Sequence, residues 1–468
     1  MGRSNAAVAV CMVLAAACWA HAQPVVGWRT DGTGRYPDAD PPITWSAQEN
    51  VVWKTPMPDW SNATPVVVGE RIFVCSEPAD LICVRASDGE VMWRRPNGYE
   101  QYLSPEEAAK VKEDLARAKP IRQRYNAARK ASAEADREWK KAPDDPAVKA
   151  KADRLKKEAA ALAEELEPLT KYAPPKASAL TGYSTPTPVS DGRFVYVHTG
   201  LGTTACYDLD GNRKWIAMTD KPRHDWAGHS NSPLLADGKL IVHVVDATGL
   251  DAATGRELWR TKSRWHDIFG SPISVNVGGT AVLVSPGGDA IRVADGRTLA
   301  REMFHHEFAA PVAEGRVVYS VGAGDSDCIA IQLPEEGGEE LAPRVLWRKP
   351  IRKDRYYASP LIHDGLIYAV TRRCVLSVLD AADGTVVYEK KLEMGGDPKD
   401  EDQVFASVTL AGGNVYVSHR LGTTVVLAAG REYRQLAVNK LEEFRACPVF
   451  VGRRMYVRGM KHLWCIGR

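Results

Sequence analysis

The sequence predicts an all-β protein built as an eight-bladed β-propeller, with an antiparallel helical hairpin inserted between its first two blades. Three observations predict it. Short apolar runs of strand length recur in groups of four, most plainly in Ser232 to Trp259 (SPLLADGKLIVHVVDATGLDAATGRELW). These groups repeat at a spacing near 40 residues, as expected when one small sheet cannot bury both of its faces and must stack on copies of itself. A single stretch breaks the pattern: Ser104 to about Thr170 is rich in Ala, Glu, Lys and Arg and holds no strand-like run.

Each group opens on a small residue, usually followed by Pro. The openings are Thr64-Pro65, Thr187-Pro188, Ser232-Pro233, Ser271-Pro272, Ala310-Pro311, Ser359-Pro360, Ala406-Ser407 and Cys447-Pro448. Several groups close on a turn and an aromatic: Ser87-Asp88-Gly89 with Trp93, Asp210-Gly211 with Trp215, Thr254-Gly255 with Trp259, and Asp383-Gly384 with Tyr388. The Gly supplies the positive φ that a tight turn between the third and fourth strands requires. A seven-blade count stays open, because Ala406-Ser407 lacks the Pro and the turn at Ala428-Ala429-Gly430 is irregular.

LDAATGRELW at 250 to 259 and VRASDGEVMW at 84 to 93 resemble the quinoprotein-dehydrogenase-like (PQQ-like) repeat. In that repeat a blade ends A-x-D-x-x-T-G-x-x-x-W. The resemblance implies a propeller whose Trp residues pack between neighbouring blades. It does not settle activity, since the family holds quinone enzymes and assembly scaffolds alike. Its quinone enzymes carry an adjacent Cys-Cys pair and calcium ligands; this sequence has no Cys-Cys pair, and the calcium ligands find no residue-by-residue match. PQQ with calcium is therefore a minority possibility, and no cofactor is expected.

In chain order, residues 1–22 read as a signal peptide: Arg3, an apolar run from Ala6 to Ala17, and Ala20-His21-Ala22 before Gln23. Lipid attachment at Cys18 is the alternative. Residues 23–103 hold an N-terminal closing strand and the first blade, 104–172 the helical insertion, and 173–468 the remaining blades. The last group has room for three strands, so Asn50 to Lys54 is expected to complete it and close the ring. With a net charge of +2, nothing demands nucleic acid, and no later apolar run reaches membrane-spanning length. An exported or periplasmic, soluble or peripherally attached protein is expected.

Ser104-Pro105-Glu106-Glu107 is a helix start. Val148, Ala152, Leu155, Ala159, Leu162, Leu166 and Leu169 form a heptad seam. Val111, Leu115 and Ala118, then Ile121 to Trp139, answer it after a slip near Pro120, which is expected to kink or interrupt the first arm. The arm is a candidate protein-binding element, with Trp139 exposed at its tip. Cys75 and Cys83 would face each other if their hairpin were centred near Ala79; a disulfide and two small buried hydrophobes are both open.

In a propeller the segments just before each opening converge on one face near the axis. The candidate ligand-binding rim is Trp60; His224, Asp225, Trp226 and His229; His266 and Asp267; His305, His306 and Glu307; Arg355 and Tyr356; and Arg445. Aromatics, imidazoles, carboxylates and Arg brought together in this way can bind a ligand. No G-x-S-x-G elbow, P-loop, dinucleotide glycine run or HExxH is present. A binding or scaffold role is expected, and a quinone-dependent or metal-assisted enzyme working at the rim is the alternative.

Overall fold

The computed structural model describes residues 25–222, 228–262, 269–322, 327–397 and 403–468. The signal-peptide segment, Cys18, and rim candidates His224, Asp225, Trp226, His266 and Asp267 lie outside the described residues. The fold is an all-β, propeller-like arrangement of four-stranded sheets. Eight sheets occur among the described residues, spanning 66–96, 189–218, 234–261, 273–300, 312–350, 361–391, 409–440 and 449–467. Within each sheet, consecutive strands pair antiparallel. The last takes its fourth strand from Val51–Pro56, which pairs with His462–Gly467. The seventh gains a fifth, Arg35–Tyr36, parallel to Thr409–Ala411.

Burial follows from each strand's place. Middle strands such as Asp80–Arg85 are covered on both faces by neighbouring sheets and read as continuous apolar runs. In the outer strand Glu257–Thr261 only Trp259 turns inward. Five such Trp residues reach the next sheet by one rule. The indole N–H of Trp53, Trp93, Trp215, Trp259 and Trp347 donates to the carbonyl of Ala86, Leu209, Ala252, Val293 and Ala381 respectively. The turn glycine beneath each ring is required. At Gly255 φ is +74°, and a Cβ there would lie 2.5 Å from the ring of Trp215. The fourth sheet has Leu299 at the Trp position, and the excursion 334–343 fills the gap, with Leu299, Leu333 and Leu341 in one core cluster.

Three helices interrupt the strands: α1 (Tyr99–Tyr102), α2 (Pro105–Lys141) and α3 (Pro146–Leu169). Ser104 and Glu107 form a reciprocal capping box at the start of α2, and Asp145 caps α3. Helices α2 and α3 pack along each other, burying Ala118, Ala128, Ser132 and Ala135 against Ala152, Leu162 and Leu166. Two expectations are corrected here. Helix α2 is not interrupted at Pro120, since it runs from Pro105 to Lys141. Trp139 is half-buried, its indole N–H donating to the carbonyl of Pro143 at 3.3 Å, so the helix turn itself covers it. No helix among the described residues is long and apolar enough to cross a membrane.

The expected cysteine geometry is also corrected. The hairpin is centred on Pro78, so Cys75 faces Leu81 and Cys83 faces Phe73. Both are buried free thiols, and burial raises each to about 12. The second of two open readings, small buried hydrophobes, describes them.

Candidate functional site

The small residues that open the sheets do more than start strands. The backbone N–H of one donates to the side chain of the next around the axis: Thr64 to Thr187, Thr187 to Ser232, Ser232 to Ser271, Ala310 to Ser359, Ser359 to Ser407, Ser407 to the Cys447 thiol, and Cys447 back to Thr64, at 2.9 to 3.4 Å. Seven links make a directional ring, interrupted at Ala310, which has no side-chain acceptor. This explains why Ser, Thr and Cys dominate the openings: a short side chain with an acceptor atom fits near the axis, where a long one would collide.

Two residues before each opening the chain faces the axis again, because strand-like backbone repeats every second residue. That layer is uneven. Asn62, Thr185 and Ser230 supply polar groups on one side, and Phe269, Phe308, Tyr357 and Phe405 form a continuous aromatic arc on the other. Phe269 stacks on Phe308 (5.5 Å between centroids), Phe308 meets Tyr357 edge-on (4.9 Å), and Tyr357 stacks on Phe405 (5.3 Å). Arg445 follows Phe405 in the ring, its guanidinium 5.9 Å from the centroids of both Trp60 and Phe405; Arg355 stands 5.9 Å from Phe308. The two layers enclose a cavity of about 290 Å³.

The cavity has a floor and part of a roof. At one end the N-terminal segment crosses beneath the ring from the second sheet to the seventh: Val26 bridges Ser190, Arg29 donates to the Val408 carbonyl (2.7 Å), and Arg35–Tyr36 joins Thr409–Ala411. Trp28 lies against the cavity there. At the mouth, Ser178, Leu180 and Thr181, which follow α3, lean over the opening. Asn62 and Arg445 both donate to the Leu180 carbonyl, at 2.6 and 3.2 Å. No residue of α2 or α3 lines the cavity.

The base of the helical segment is fixed to the same face. Tyr99 packs edge-on to Tyr172 (5.6 Å) and donates to Leu201 O (2.8 Å). Glu77 holds the returning chain, one carboxylate oxygen accepting from Tyr183 N–H, Ser184 N–H and Ser184 Oγ at 2.6 to 2.8 Å. Burial raises the carboxyl of Glu77 above its ordinary range, and these donors pull against that shift. A carboxyl raised on folding contributes stability below its unfolded pKa, and that contribution is lost as pH rises through the folded value. What the geometry shows Glu77 providing is one acceptor oxygen for three donors. Glu77→Gln is expected to change unfolding stability at pH 7 by less than about 1 kcal/mol, and Glu77→Ala to lower it by about 1–3 kcal/mol through the stranded donors; chemical denaturation checks both.

The rim expected from sequence is divided by the structure. Arg355 and Arg445 line the cavity, and half-buried Trp60 stands beside Arg445. Tyr356 is a correction: it is fully buried between sheets and donates to Arg352 O, while Tyr357 faces the axis. His229 is buried beside His198 and His243, at 5.0 and 6.5 Å between rings, and does not line the cavity. His305 and Glu307 are exposed, outside the lining. His306 is buried between Ser320 Oγ (2.5 Å) and Asp327 (3.1 Å). The connectivity is that of a Ser-His-Asp relay, yet Ser320 is fully buried in a strand, Asp327 is shared with Arg348, and none of the three lines the cavity. The set braces the fifth sheet.

Sequence reasoning missed Phe269, Phe308 and Phe405. The pattern Phe308-Ala309-Ala310, Tyr357-Ala358-Ser359, Phe405-Ala406-Ser407 and Arg445-Ala446-Cys447 carries the signal. It needed the opening residues aligned and read two positions back.

Among the described residues no group of three or more His, Cys, Asp or Glu is arranged to hold a metal. The described lining offers guanidinium, hydroxyl, amide, thiol and aromatic groups and no carboxylate.

No curated protein matches the chain in sequence. In solved structures the fold is similar to that of BamB from Moraxella catarrhalis, at TM-score 0.53 and 10% identity over 88% of this chain and 96% of that one. It is similar also to quinohemoprotein alcohol dehydrogenase from Comamonas testosteroni, at TM-score 0.51 and 11% identity over 94% and 80%. At these identities the likeness is one of fold. The family model described as outer membrane protein assembly factor BamB matches residues 44–106 and 243–468, more than half of the sequence. By that match, which spans the first sheet and everything from the middle of the third sheet to the C-terminus, the chain belongs to the BamB family of PQQ-like propellers.

Proposed function

We propose that this chain is an exported, non-catalytic binding or scaffold protein of the cell envelope, whose eight sheets act as the blades of one closed ring and whose helices α2 and α3 act as an inserted arm for a protein partner. The observation that carries this reading is the composition of the axial cavity. Its described lining has no carboxylate or imidazole to move a proton and no nucleophile paired with a base, whereas a preformed cup of aromatics and guanidiniums is suited to holding a ligand. The family supports it: its description names an outer-membrane assembly factor. Residues 1–22 act as the export signal, 23–103 and 173–468 as the ring, and 104–172 as the arm.

The test is capture of envelope proteins by the whole mature protein and by a variant in which 105–169 is replaced by a short Gly-Ser linker. Loss of the captured partner on removing the arm, with near-UV dichroism unchanged, is the expected result. Unchanged recovery would remove the arm from the interface. Stoichiometric calcium with a quinone absorbance band in the purified protein would overturn the non-catalytic reading.

A further inference from the structure

We propose that the axial cup is a receptor for a carboxylate carried on an aromatic or other apolar group, a ligand class that deepens the binding-protein reading and rests on it. Charge is the first argument. Arg355 and Arg445 line the cup and form no ion pair among the described residues, and the described lining has no acid to answer them. A third guanidinium, that of Arg29, lies beneath the floor, fully buried; among the described residues Nε and Nη1 have no hydrogen-bond partner, and Nη2 donates to a backbone carbonyl. Its ring neighbour Trp28 is the residue that lines the floor. Burying a guanidinium is costly even with Asp31 near Arg29, and an anion entering the low-dielectric cup would offset that cost.

Shape is the second argument. The aromatic arc covers one side only, and the opposite side presents the hydroxyl and amide groups of Asn62, Thr185 and Ser230. A ligand that is apolar on one side and ionised at one end matches this wall; a purely inorganic anion would leave the arc unused. Arg445 is held between two aromatic faces and so meets a carboxylate with its planar fork already oriented, which lowers the ordering cost of binding. A volume of about 290 Å³ admits one side chain with its carboxylate and excludes a folded domain.

The third argument is the roof. Arg445 donates to the Leu180 carbonyl, so a carboxylate engaging the same guanidinium competes with that bond. The segment it would loosen, 178–181, lies in the stretch that returns from α3 to the second sheet.

The test titrates the whole mature protein with three probes: 3-phenylpropionate, a short neutral peptide ending in Phe with a free carboxylate, and the same peptide as its C-terminal amide. Intrinsic Trp fluorescence, to which Trp28 at the floor and Trp60 beside Arg445 contribute, reports binding. At least one free acid is expected to bind, with the amide roughly tenfold weaker or more, as loss of a charge-assisted pair dictates. Arg445→Gln, and independently Arg355→Gln, should weaken the acid by a similar factor and leave the amide unchanged, with the thermal midpoint as the folding control. Binding of the peptide acid alone identifies a partner's chain end as the source; binding of phenylpropionate as tightly identifies a free small acid. Equal affinity for acid and amide, or no saturable binding of any probe at millimolar concentration, would overturn the proposal. Capture of the arm-dependent partner by the Arg445→Gln protein separates the two readings: partner retained while acid binding is absent from the parent protein sinks this inference and leaves the scaffold intact.

Discussion

Replacing Trp259 by Ala is expected to lower the free energy of unfolding by about 3–5 kcal/mol. Three losses combine there. The indole is nearly fully buried against the fourth sheet, and its N–H bond to Val293 O, 3.0 Å long, is removed. The ring is also what allows Gly249 and Gly296 to remain bare: a Cβ on either would lie 2.2 to 2.5 Å from it. With the ring gone, both glycines border a void that backbone alone cannot fill. Trp259→Phe keeps most of the apolar contact and removes the donor, so it should cost about 1–2 kcal/mol. Denaturant titrations of the two variants check the order. Equal losses would mean that the hydrogen bond, and not the ring volume, joins the third sheet to the fourth.

Acidification is expected to weaken the fold steeply through His198. Its imidazole is fully buried, Nδ1 shares a hydrogen bond with Thr204 Oγ1 (2.8 Å), Nε2 has no hydrogen-bond partner among the described residues, and the ring of His229 stands edge-on at 5.0 Å. Burial alone depresses its pKa from 6.5 to about 3. The sign follows from proton counting: between those values the unfolded chain binds a proton that the folded chain refuses. Stability from this group is therefore complete above pH 6.5 and lost as pH falls toward 3. The slope approaches about 1.4 kcal/mol per pH unit, or about 3 kcal/mol between pH 6.5 and 4. His198→Gln should flatten the unfolding free energy against pH over that window, whatever it costs at pH 7. An unchanged slope would place the acid sensitivity elsewhere.

The legible part of this chain was whatever repeats with a physical cause. Small-residue openings, turn glycines and closing tryptophans each answer a packing demand met in sheet after sheet, and the strands begin within a few residues of the predicted openings. The α2–α3 seam was readable for the same reason, since Ala128, Ala152 and Leu162 recur at the spacing of a helix face and are buried together. The candidate site was less legible, because converging residues were chosen by chemical type and not by parity. Tyr356 and Tyr357 are adjacent and alike, and only their phase relative to Ser359 tells which one meets the axis. His229 and His306 looked available in loop segments, yet each turns into a sheet interface. Nothing local in the sequence distinguishes a loop histidine that faces solvent from one that braces a strand. The floor was illegible in another way: Trp28 and Arg29 reach the axis only because Arg35–Tyr36 pairs with a strand more than 370 residues later, a contact that no periodicity announces.

The pairing of Val51–Pro56 with His462–Gly467 also sets a schedule. The strand that completes the last sheet is made among the first, and it waits for its partner until His462–Gly467 has been made. Until then the ring has two unpaired edges and the cup has a floor without a finished wall. A nascent chain of this design cannot complete that sheet early, since the pairing is between segments made far apart in time. A latch made of two segments so far apart in the chain ties the stability of the last sheet to both at once, so loosening either strand exposes the same edge.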